Sequence, residues 1–338
     1  MKLPTRKLAT VLSAVAGVLI ATTAQSPAAA AAESLPRLNI SAVYASGVSS
    51  GGYMADQLHV AYSGTVKGVG IFSAGAYHCA RGSITTAQLA CMNDLYDDNP
   101  AELQRIASDR AAQGRIDPVS NLAGHKVWLY HGVNDYTVKQ SVTDGLATFY
   151  QAFGANVAYT KTSLAGHAWV SPIGPNPCVA TYTPYINKCS DDPEGSMLRH
   201  LLGSVAAPAS TPTGTLLSFD QNQYAPNGNA ASISMGGTGF AYIPQNCANG
   251  ASCRLIVALH GCQQGYNTIG TTFVTRAYLN EYADTNNLVV LYPQATASAL
   301  TNPQGCWNWW GYGGDTAYDM KGGKQIETLM RMVRALGA

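Results

Sequence analysis

Residues 47–51, Gly-Val-Ser-Ser-Gly, lie between a strand-like segment and a helix-like segment, and this placement constrains the fold more than any other feature of the chain. Residues 38–45 form a short, largely apolar run, and residues 52–61 carry apolar side chains at helical spacing. Two glycines allow a strand to turn into a helix so tightly that the hydroxyl of the serine between them is exposed. The same string also occurs in ordinary tight turns, but its position between strand and helix favours Ser49 as a nucleophile.

The N-terminal segment has the features of a secretory signal peptide. Lys2, Arg6 and Lys7 precede an uncharged run over residues 8–21, and a stretch of small residues ends at Ala32. The uncharged run is shorter than the roughly 20 residues that a membrane-spanning helix needs. We therefore predict a signal peptide over residues 1–32, a secreted, extracellular protein and no interaction with a membrane.

The charge of the chain argues against polyanionic partners. The formal net charge is +1 and 12% of the residues are charged, so neither a nucleic acid nor an acidic polymer is indicated as a ligand. No C-x-x-C pair or Cys/His cluster with zinc-ligand spacing occurs, and we predict no metal and no cofactor. We expect residues 33–338 to form a single catalytic domain and the protein to be a monomer.

Eight cysteines in a secreted chain indicate disulfide bonds. Three pairs would each close a short loop, and the two remaining cysteines are then left to pair with each other. The predicted disulfides are Cys79–Cys91, Cys178–Cys189, Cys247–Cys253 and Cys262–Cys306.

Two predicted strands deliver an acid and then a histidine at their carboxyl ends. Residues 126–131 are followed by a turn that contains Asp135, and residues 157–162 by a turn that contains His167. Open α/β sheets place catalytic and ligand-binding groups in such loops. The chain order serine, acid, histidine is that of the α/β hydrolases, so we predict a triad of Ser49, Asp135 and His167.

Other acids and histidines compete for these roles. Asp144 and Asp191 are alternatives to Asp135, which we prefer because only Asp135 immediately follows a strand. The contexts of three further histidines are typical of helix or turn surfaces, whereas the pattern leaves two histidines open. The first group is His59, His125 and His200, and the second is His78 and His131.

The second half of the chain contains elements that an α/β hydrolase normally has before its nucleophile. Residues 203–215 are rich in Ala, Ser, Thr, Pro and Gly, which is typical of a linker. The strand-like residues 254–260 then lead into Gly261-Cys262, a loop of the kind that supplies part of an oxyanion hole. Neither half has all the parts of the catalytic machinery, so we infer one α/β-hydrolase domain whose sequence is circularly permuted.

The permutation leads to further predictions. The strand at residues 38–45 is expected to lie beside the strand at residues 288–292. The backbone N–H groups of Ser50 and Cys262 are expected to be the oxyanion donors, with His260 shaping the loop rather than transferring protons.

Residues 305–312 combine three tryptophans with two glycines. Packing in a helical core is one interpretation of so many aromatic rings. The glycines favour a loop instead, and a Cys262–Cys306 disulfide would bring the rings near the oxyanion hole, where they would hold an apolar substrate. We therefore predict that Trp307 contacts the substrate.

Six segments of the chain together resemble a known family. They are GVSSGGYMADQL, GVNDYTV, AGH, VALHGCQQGY, ADTNNLVVLYPQA and NPQGCWNWWG. These motifs are similar to those of the extracellular poly(3-hydroxybutyrate) depolymerases, specifically the single-domain, circularly permuted type found in a fungus. The resemblance covers nearly all of the chain after the signal peptide, and it implies the same triad, oxyanion donors, tryptophan and four disulfides.

Three hypotheses about function follow. The first is a secreted serine esterase that hydrolyses poly(3-hydroxybutyrate) or its oligomers to short hydroxybutyrate products through an acyl-enzyme intermediate, with a polyester or oligoester as its partner. The second keeps the chemistry and changes the substrate, as in a secreted feruloyl or acetyl xylan esterase. The third is a polymer-binding protein on an inactive hydrolase scaffold, which the intact Ser49, Asp135 and His167 disfavour.

Overall fold

A mixed eight-stranded β-sheet organises the chain in a computed structural model. The structure describes residue 1, residues 33–96 and residues 99–338. The predicted signal peptide over residues 1–32 lies outside the described residues, apart from residue 1. One compact unit spans Ala32–Ala338, and within the described ranges no helix is long and apolar enough to cross a membrane.

The strands and helices alternate along most of the chain. The strands are β1 (Ile40–Val48), β2 (Val66–Phe72), β3 (Lys126–Gly132), β4 (Asn156–Ser163), β5 (Trp169–Val170), β6 (Asn176–Pro177), β7 (Ile186–Lys188), β8 (Thr215–Asp220), β9 (Thr238–Ile243), β10 (Cys253–Leu259) and β11 (Leu288–Tyr292). The α-helices are α1 (Ser50–Ala61), α2 (Ile84–Leu89), α3 (Pro100–Ala112), α4 (Gln140–Ala152), α5 (Pro193–Leu202), α6 (Gln245–Ala248), α7 (Tyr266–Ile269), α8 (Thr272–Arg276), α9 (Leu279–Asn286) and α10 (Lys324–Ala335). Short 3₁₀ helices cover Val119–Leu122, Gln221–Tyr224, Pro226–Gly228, Ala230–Ile233 and Tyr312–Gly314.

The two halves of the sequence build one sheet. Its strand order is β4-β3-β2-β1-β10-β11-β9-β8, and a separate small sheet has the order β5-β7-β6. The strands from β4 to β11 in this order are parallel, whereas β9 pairs antiparallel with both β11 and β8. The halves meet where β1 pairs with β10, with Gly47 opposite Leu259. This sheet has the α/β-hydrolase fold that the sequence predicts.

The predicted neighbour of β1 was wrong. The strand at residues 288–292 is β11, and β10 lies between it and β1. Buried parallel strands are apolar along their whole length, so their sequences carry no information about which strand pairs with which. Pairing β10 with β1 brings the loop after β10 next to the turn after β1, which is the arrangement that the oxyanion hole requires.

Helices on both faces of the sheet enclose two hydrophobic cores. Alternate side chains of β10 point in opposite directions, so that Leu255 and Val257 join one core while Ile256 joins the other. The first core is closed by α1, α3 and α10, and the second by α5, α8 and α9. A sheet covered on both faces explains why most of its strands are nearly continuous apolar runs.

The chain termini and the predicted linker fit a circular permutation. The Leu38 N–H donates to the Leu336 carbonyl at 2.8 Å, so the start of β1 lies beside the end of α10. The linker over residues 203–215 runs from α5 to β8 along α9, where the Ala206 N–H donates to the Asn286 side chain at 2.7 Å. The linker therefore connects two parts of one sheet rather than two separate domains.

The eight cysteines pair as the sequence predicts. The disulfides are Cys79–Cys91, Cys178–Cys189, Cys247–Cys253 and Cys262–Cys306. The last of these joins the loop after β10 to the loop before residues 307–312, over a sequence separation of 44 residues. It therefore connects two segments that the fold has to hold together at the carboxyl edge of the sheet.

A buried polar cluster lies behind α1, where the sequence predicted a surface histidine. His59 is fully buried, with Nδ1 2.9 Å from the Tyr150 hydroxyl and Nε2 3.0 Å from Nδ1 of His125. Burial, together with the neighbouring His125, lowers the pKa of His59 to about 3. Asp56, one turn earlier in the helix, is also fully buried, and burial raises its pKa to about 8.

We expect the substitution Asp56→Asn to stabilise the protein by an amount that grows as the pH rises from about 4 to about 8. The unfolded chain releases the Asp56 proton near pH 4 whereas the folded chain keeps it to about pH 8, so the free energy of unfolding falls by up to about 1.4 kcal/mol for each pH unit. The asparagine amide stays neutral and removes this dependence. Thermal unfolding of both proteins across this pH range is the measurement, and a Tm difference that does not grow with pH would contradict a neutral Asp56.

Candidate active site

Ser49 occupies a strained turn between β1 and α1. Its φ of 55° and ψ of −124° lie outside the conformations that side-chain-bearing residues usually adopt. A Cβ atom on Gly47 would lie 2.1 Å from the Gly51 carbonyl oxygen, and one on Gly51 would lie 2.2 Å from the Leu259 carbonyl oxygen. Glycine is therefore required at both positions, and the turn presents Ser49 on the wall of a cavity.

The loops after β3 and β4 bring Asp135 and His167 together. His167 Nδ1 lies 2.7 Å from Asp135 Oδ2, and Asp135 Oδ1 accepts the N–H groups of Thr137 and Val138 at 2.9 and 3.0 Å. Burial acts to raise the pKa of Asp135, but His167 and the Val138 N–H outweigh it and the pKa is lowered. An ionised Asp135 favours a His167 proton on Nδ1, which leaves Nε2 free for the predicted role as a base.

The competing acids have other partners. Asp144 forms an exposed ion pair with Lys161 at 3.0 Å, and Asp191 accepts a hydrogen bond from the Tyr130 hydroxyl at 2.9 Å. Within the described ranges, neither carboxylate is bonded to a histidine. The geometry therefore favours Asp135, whose partner His167 lines the same cavity as Ser49.

The predicted oxyanion donors are the backbone N–H groups of Ser50, which follows Ser49, and of Cys262, which lines the same cavity as Ser49. Ser50 is the first residue of α1, where the helix dipole adds positive potential. A Cβ atom on Gly261 would lie 3.4 Å from the Ser49 Cβ, so the loop before Cys262 packs against the serine. Neither N–H donates to an acceptor among the residues that the structure describes, and both are available to a developing negative charge.

One loop supports both of these donors. Cys306 is bonded to Cys262 through the disulfide, and the N–H of the next residue, Trp307, donates to the Ser50 hydroxyl at 3.3 Å. The buried side chain of Asn302 fixes this loop, because Oδ1 accepts the Cys306 N–H at 2.9 Å and Nδ2 donates to the Cys306 carbonyl at 2.8 Å. The sequence analysis found the disulfide but missed Asn302, although this residue begins the NPQGCWNWWG segment.

Gln264 anchors the loop at residues 260–264, called the HG loop here. Its Oε1 accepts the Gly261 N–H at 2.6 Å, while Nε2 donates to the Pro184 and Tyr185 carbonyls at 3.0 and 2.9 Å. The side chain thus ties the oxyanion loop to the segment that follows β6. Sequence analysis missed Gln264, although its place inside the HGCQQG string was an available signal.

His260 has the structural role that the sequence predicts. Nδ1 lies 2.7 Å from the Gly261 carbonyl oxygen, to which it donates, because Nε2 accepts the Ala295 N–H at 3.1 Å. Burial lowers the pKa of His260 to about 4, so the ring is neutral at physiological pH. It shapes the HG loop from beneath.

The remaining histidines are also engaged away from the serine. His78 bonds to Asp319, with Nδ1 2.6 Å from Oδ2, and His131 bonds through Nδ1 to the Thr143 hydroxyl at 3.1 Å. His200 bonds through Nε2 to the Asn156 carbonyl at 2.9 Å. Among the residues described, no group of three or more His, Cys, Asp or Glu side chains could hold a metal ion.

Ser49 and His167 open into a cavity of about 550 Å³. Its walls come from α1, α2, the HG loop and the segments around residues 181–185 and 300–310. Tyr53 and Trp309 stack on one wall with ring centres 4.0 Å apart. A volume in this range suits a drug-sized ligand, and the stacked rings provide a flat apolar surface for it.

The prediction that Trp307 contacts the substrate is corrected. Its side chain is fully buried beneath the cavity, with its ring centre 5.4 Å from that of His260, and it does not line the wall. Trp309 and Trp310 line the wall instead. The sequence places all three rings in one loop, but the backbone path decides which of them faces the cavity.

Comparison with known proteins decides the family. The chain is 43% identical to poly(3-hydroxybutyrate) depolymerase of Delftia acidovorans over 313 residues, which cover 90% of this chain and 61% of that protein. It is 38% identical to polyhydroxybutyrate depolymerase of Talaromyces funiculosus over 328 residues, which cover 90% of this chain and 93% of that protein. The chain belongs to the poly(3-hydroxybutyrate) depolymerase family. No family model matches the sequence.

Solved structures of this depolymerase family share the fold. A PHB depolymerase from Penicillium funiculosum has a TM-score of 0.83 at 36% identity, and a serine-to-alanine PHB depolymerase complexed with an R3HB trimer has a TM-score of 0.83 at 35% identity. Each comparison covers 90% of this chain and 98% of the other. The permuted sheet described above is therefore shared with other PHB depolymerases.

We expect Gln264→Glu to lower kcat roughly 10- to 100-fold with little change in KM. Glutamate keeps the acceptor for Gly261 but faces the Pro184 and Tyr185 carbonyls with a second acceptor, which displaces the oxyanion loop. Steady-state kinetics on a soluble ester is the measurement. Gln151→Glu on α4 is the control, since it adds the same charge at an exposed position away from the cavity. An equal loss in both variants would show a general effect of charge and contradict the anchoring role.

Proposed function

We propose that this protein is a secreted serine esterase that hydrolyses poly(3-hydroxybutyrate) or its oligomers to short hydroxybutyrate products. One observation carries the proposal. The His167–Asp135 hydrogen bond of 2.7 Å and the Ser49 turn face one cavity, in a chain of the poly(3-hydroxybutyrate) depolymerase family.

The proposed reaction has two halves. Ser49 Oγ attacks the ester carbonyl carbon while His167 Nε2 takes the hydroxyl proton, and the Ser50 and Cys262 N–H groups stabilise the oxyanion. The ester C–O bond then breaks, His167 gives its proton to the leaving alkoxide oxygen, and the acyl group remains on Ser49. A water molecule that loses a proton to His167 then attacks the acyl carbon. The bond between the acyl carbon and Ser49 Oγ breaks and His167 returns the proton to Oγ, which releases a hydroxybutyrate acid and regenerates the serine.

The comparisons favour a polyester over a polysaccharide ester. Both curated relatives are named for poly(3-hydroxybutyrate) or polyhydroxybutyrate, and one solved neighbour is complexed with an R3HB trimer. Apolar side chains such as Met92, Leu300 and Trp309 line the cavity and suit a chain of four-carbon ester units. A feruloyl or acetyl xylan ester is therefore the second candidate, and an inactive binding scaffold the third.

The proposal also covers where the protein acts and its oligomeric state. Four disulfides support an oxidising, extracellular environment. The reaction uses only side chains, backbone N–H groups and water, so we assign no cofactor. We take the active form to be a monomer, because all of the proposed catalytic groups come from one chain.

We expect the mature protein to clear a suspension of amorphous poly(3-hydroxybutyrate) and the variant Ser49→Ala to lose at least about 10⁴-fold in kcat. Without the nucleophile no acyl-enzyme forms. Turbidity and mass analysis of the soluble products are the measurements. Ser120→Ala is the control, because it makes the same change at an exposed position away from the cavity and should retain activity. Clearing by Ser49→Ala would contradict the mechanism, and Ser49-dependent hydrolysis of feruloylated or acetylated xylan without clearing would favour the second candidate.

Exposed apolar side chains around the cavity support action on a solid polymer. Leu300 on the cavity wall is 96% exposed, and Tyr136 and Leu164, in the loops of Asp135 and His167, are 73% and 63% exposed. Large apolar side chains grouped beside an active site indicate a binding surface. We propose that these loops contact the polymer surface.

We expect Leu164→Ser to weaken binding to a poly(3-hydroxybutyrate) film several-fold, since about 0.8 kcal/mol is lost for each methylene group no longer buried. Hydrolysis of a soluble hydroxybutyrate trimer should be unchanged. Film depletion assays and trimer kinetics are the measurements. The matched control is Leu216→Ser on β8, at the sheet edge opposite β4. Equal weakening of film binding in both variants would show that the loop after β4 is not part of the binding surface.

A further inference from the structure

The cavity that holds Ser49 and His167 is lined by groups without a formal charge. Within the described ranges, no Lys, Arg, Asp or Glu lines its wall. The polar groups there are mainly amides and hydroxyls, such as those of Gln88, Gln304 and Thr181. The titratable side chains on the wall are His167, Tyr53 and Tyr185, because Cys262 and Cys306 are joined in a disulfide.

The Lys and Arg residues nearest in sequence to the cavity-lining residues interact with groups outside the cavity. Lys139 follows Val138, but its side chain is exposed and its Nζ lies 5.9 Å from the centre of the Tyr136 ring. Arg81 precedes α2, but its guanidinium forms an ion pair with Glu102 at 2.9 Å. Neither residue lines the cavity.

His167 does not compensate a substrate carboxylate either. It must be neutral to accept the Ser49 proton, and the imidazolium that then forms is already paired with Asp135. An anion near the reacting ester would also repel the oxyanion held by Ser50 and Cys262. A carboxylate that leaves water for a site without a cation loses several kcal/mol of hydration, so it is excluded unless it takes up a proton.

We propose, on the basis of the function proposed above, that the cavity accepts only uncharged ester units and keeps the free carboxylate of a hydroxybutyrate chain outside. In a dimer acid, the carboxylate belongs to the leaving unit and lies beside the scissile ester. In a trimer acid, the ester nearer the hydroxyl end can enter while the carboxylate stays one unit further away. The enzyme therefore cleaves interior esters and ester bonds near the hydroxyl end, and the dimer acid accumulates as a final product.

Three hydroxybutyrate dimers test the proposal: the free acid, its primary amide and its methyl ester. The amide has the size of the carboxylate without its charge. At neutral pH we expect similar kcat/KM values for the amide and the methyl ester, and a value at least about tenfold lower for the acid. The trimer acid should give monomer and unreacted dimer acid.

The pH dependence of the acid-to-amide ratio of kcat/KM isolates the charge of the substrate. Ionisations of the enzyme cancel in the ratio, so it should rise as the pH falls toward the carboxyl pKa of about 4. Equal rates for acid and amide at neutral pH would overturn the proposal, as would an amide that is as slow as the acid. If no Ser49-dependent hydrolysis of the trimer methyl ester occurs, with Ser49→Ala as the control, the proposed function itself fails and this inference with it.

Discussion

The active site depends on close contact between the backbone of the Ser49 turn and the backbone that leads from β10 into the HG loop, with no side chain between them. A Cβ atom on Gly51 would lie 2.2 Å from the Leu259 carbonyl oxygen, and one on Gly261 would lie 3.4 Å from the Ser49 Cβ. The pairing of β1 with β10 creates this contact and joins the two halves of the sequence. The serine turn and the HG loop can therefore form one oxyanion site although about 210 residues separate them in the chain.

The support of that site comes from groups outside the triad. The Cys262–Cys306 disulfide, the Asn302 side chain and the Gln264 side chain all restrain the backbone that carries the proposed oxyanion donors. Preorganised donors stabilise a transition state because they do not have to reorient when the charge develops. The same loop that holds Cys306 continues into Trp309, so one segment both supports the donors and forms the apolar wall.

Buried titratable groups in this fold are either ionised with compensating partners or kept neutral. Asp135 is buried and ionised because His167 and backbone N–H groups compensate it. Asp56 and His260 are also buried, but burial outweighs their hydrogen bonds and shifts the pKa of each so that the neutral form is favoured. The uncharged cavity follows the same pattern and suits an ester chain, whose units are polar but carry no charge.

The sequence by itself determined the features that depend on a few neighbouring residues. The Ser49 turn, the loops of Asp135 and His167 and the short-loop disulfides are local patterns, and the fold class follows from their order. Only the tertiary structure decided that β10 and not β11 lies beside β1, that His59 is buried, and that Trp309 rather than Trp307 faces the cavity. These outcomes result from packing between segments far apart in the chain, and no local periodicity or turn preference encodes that packing.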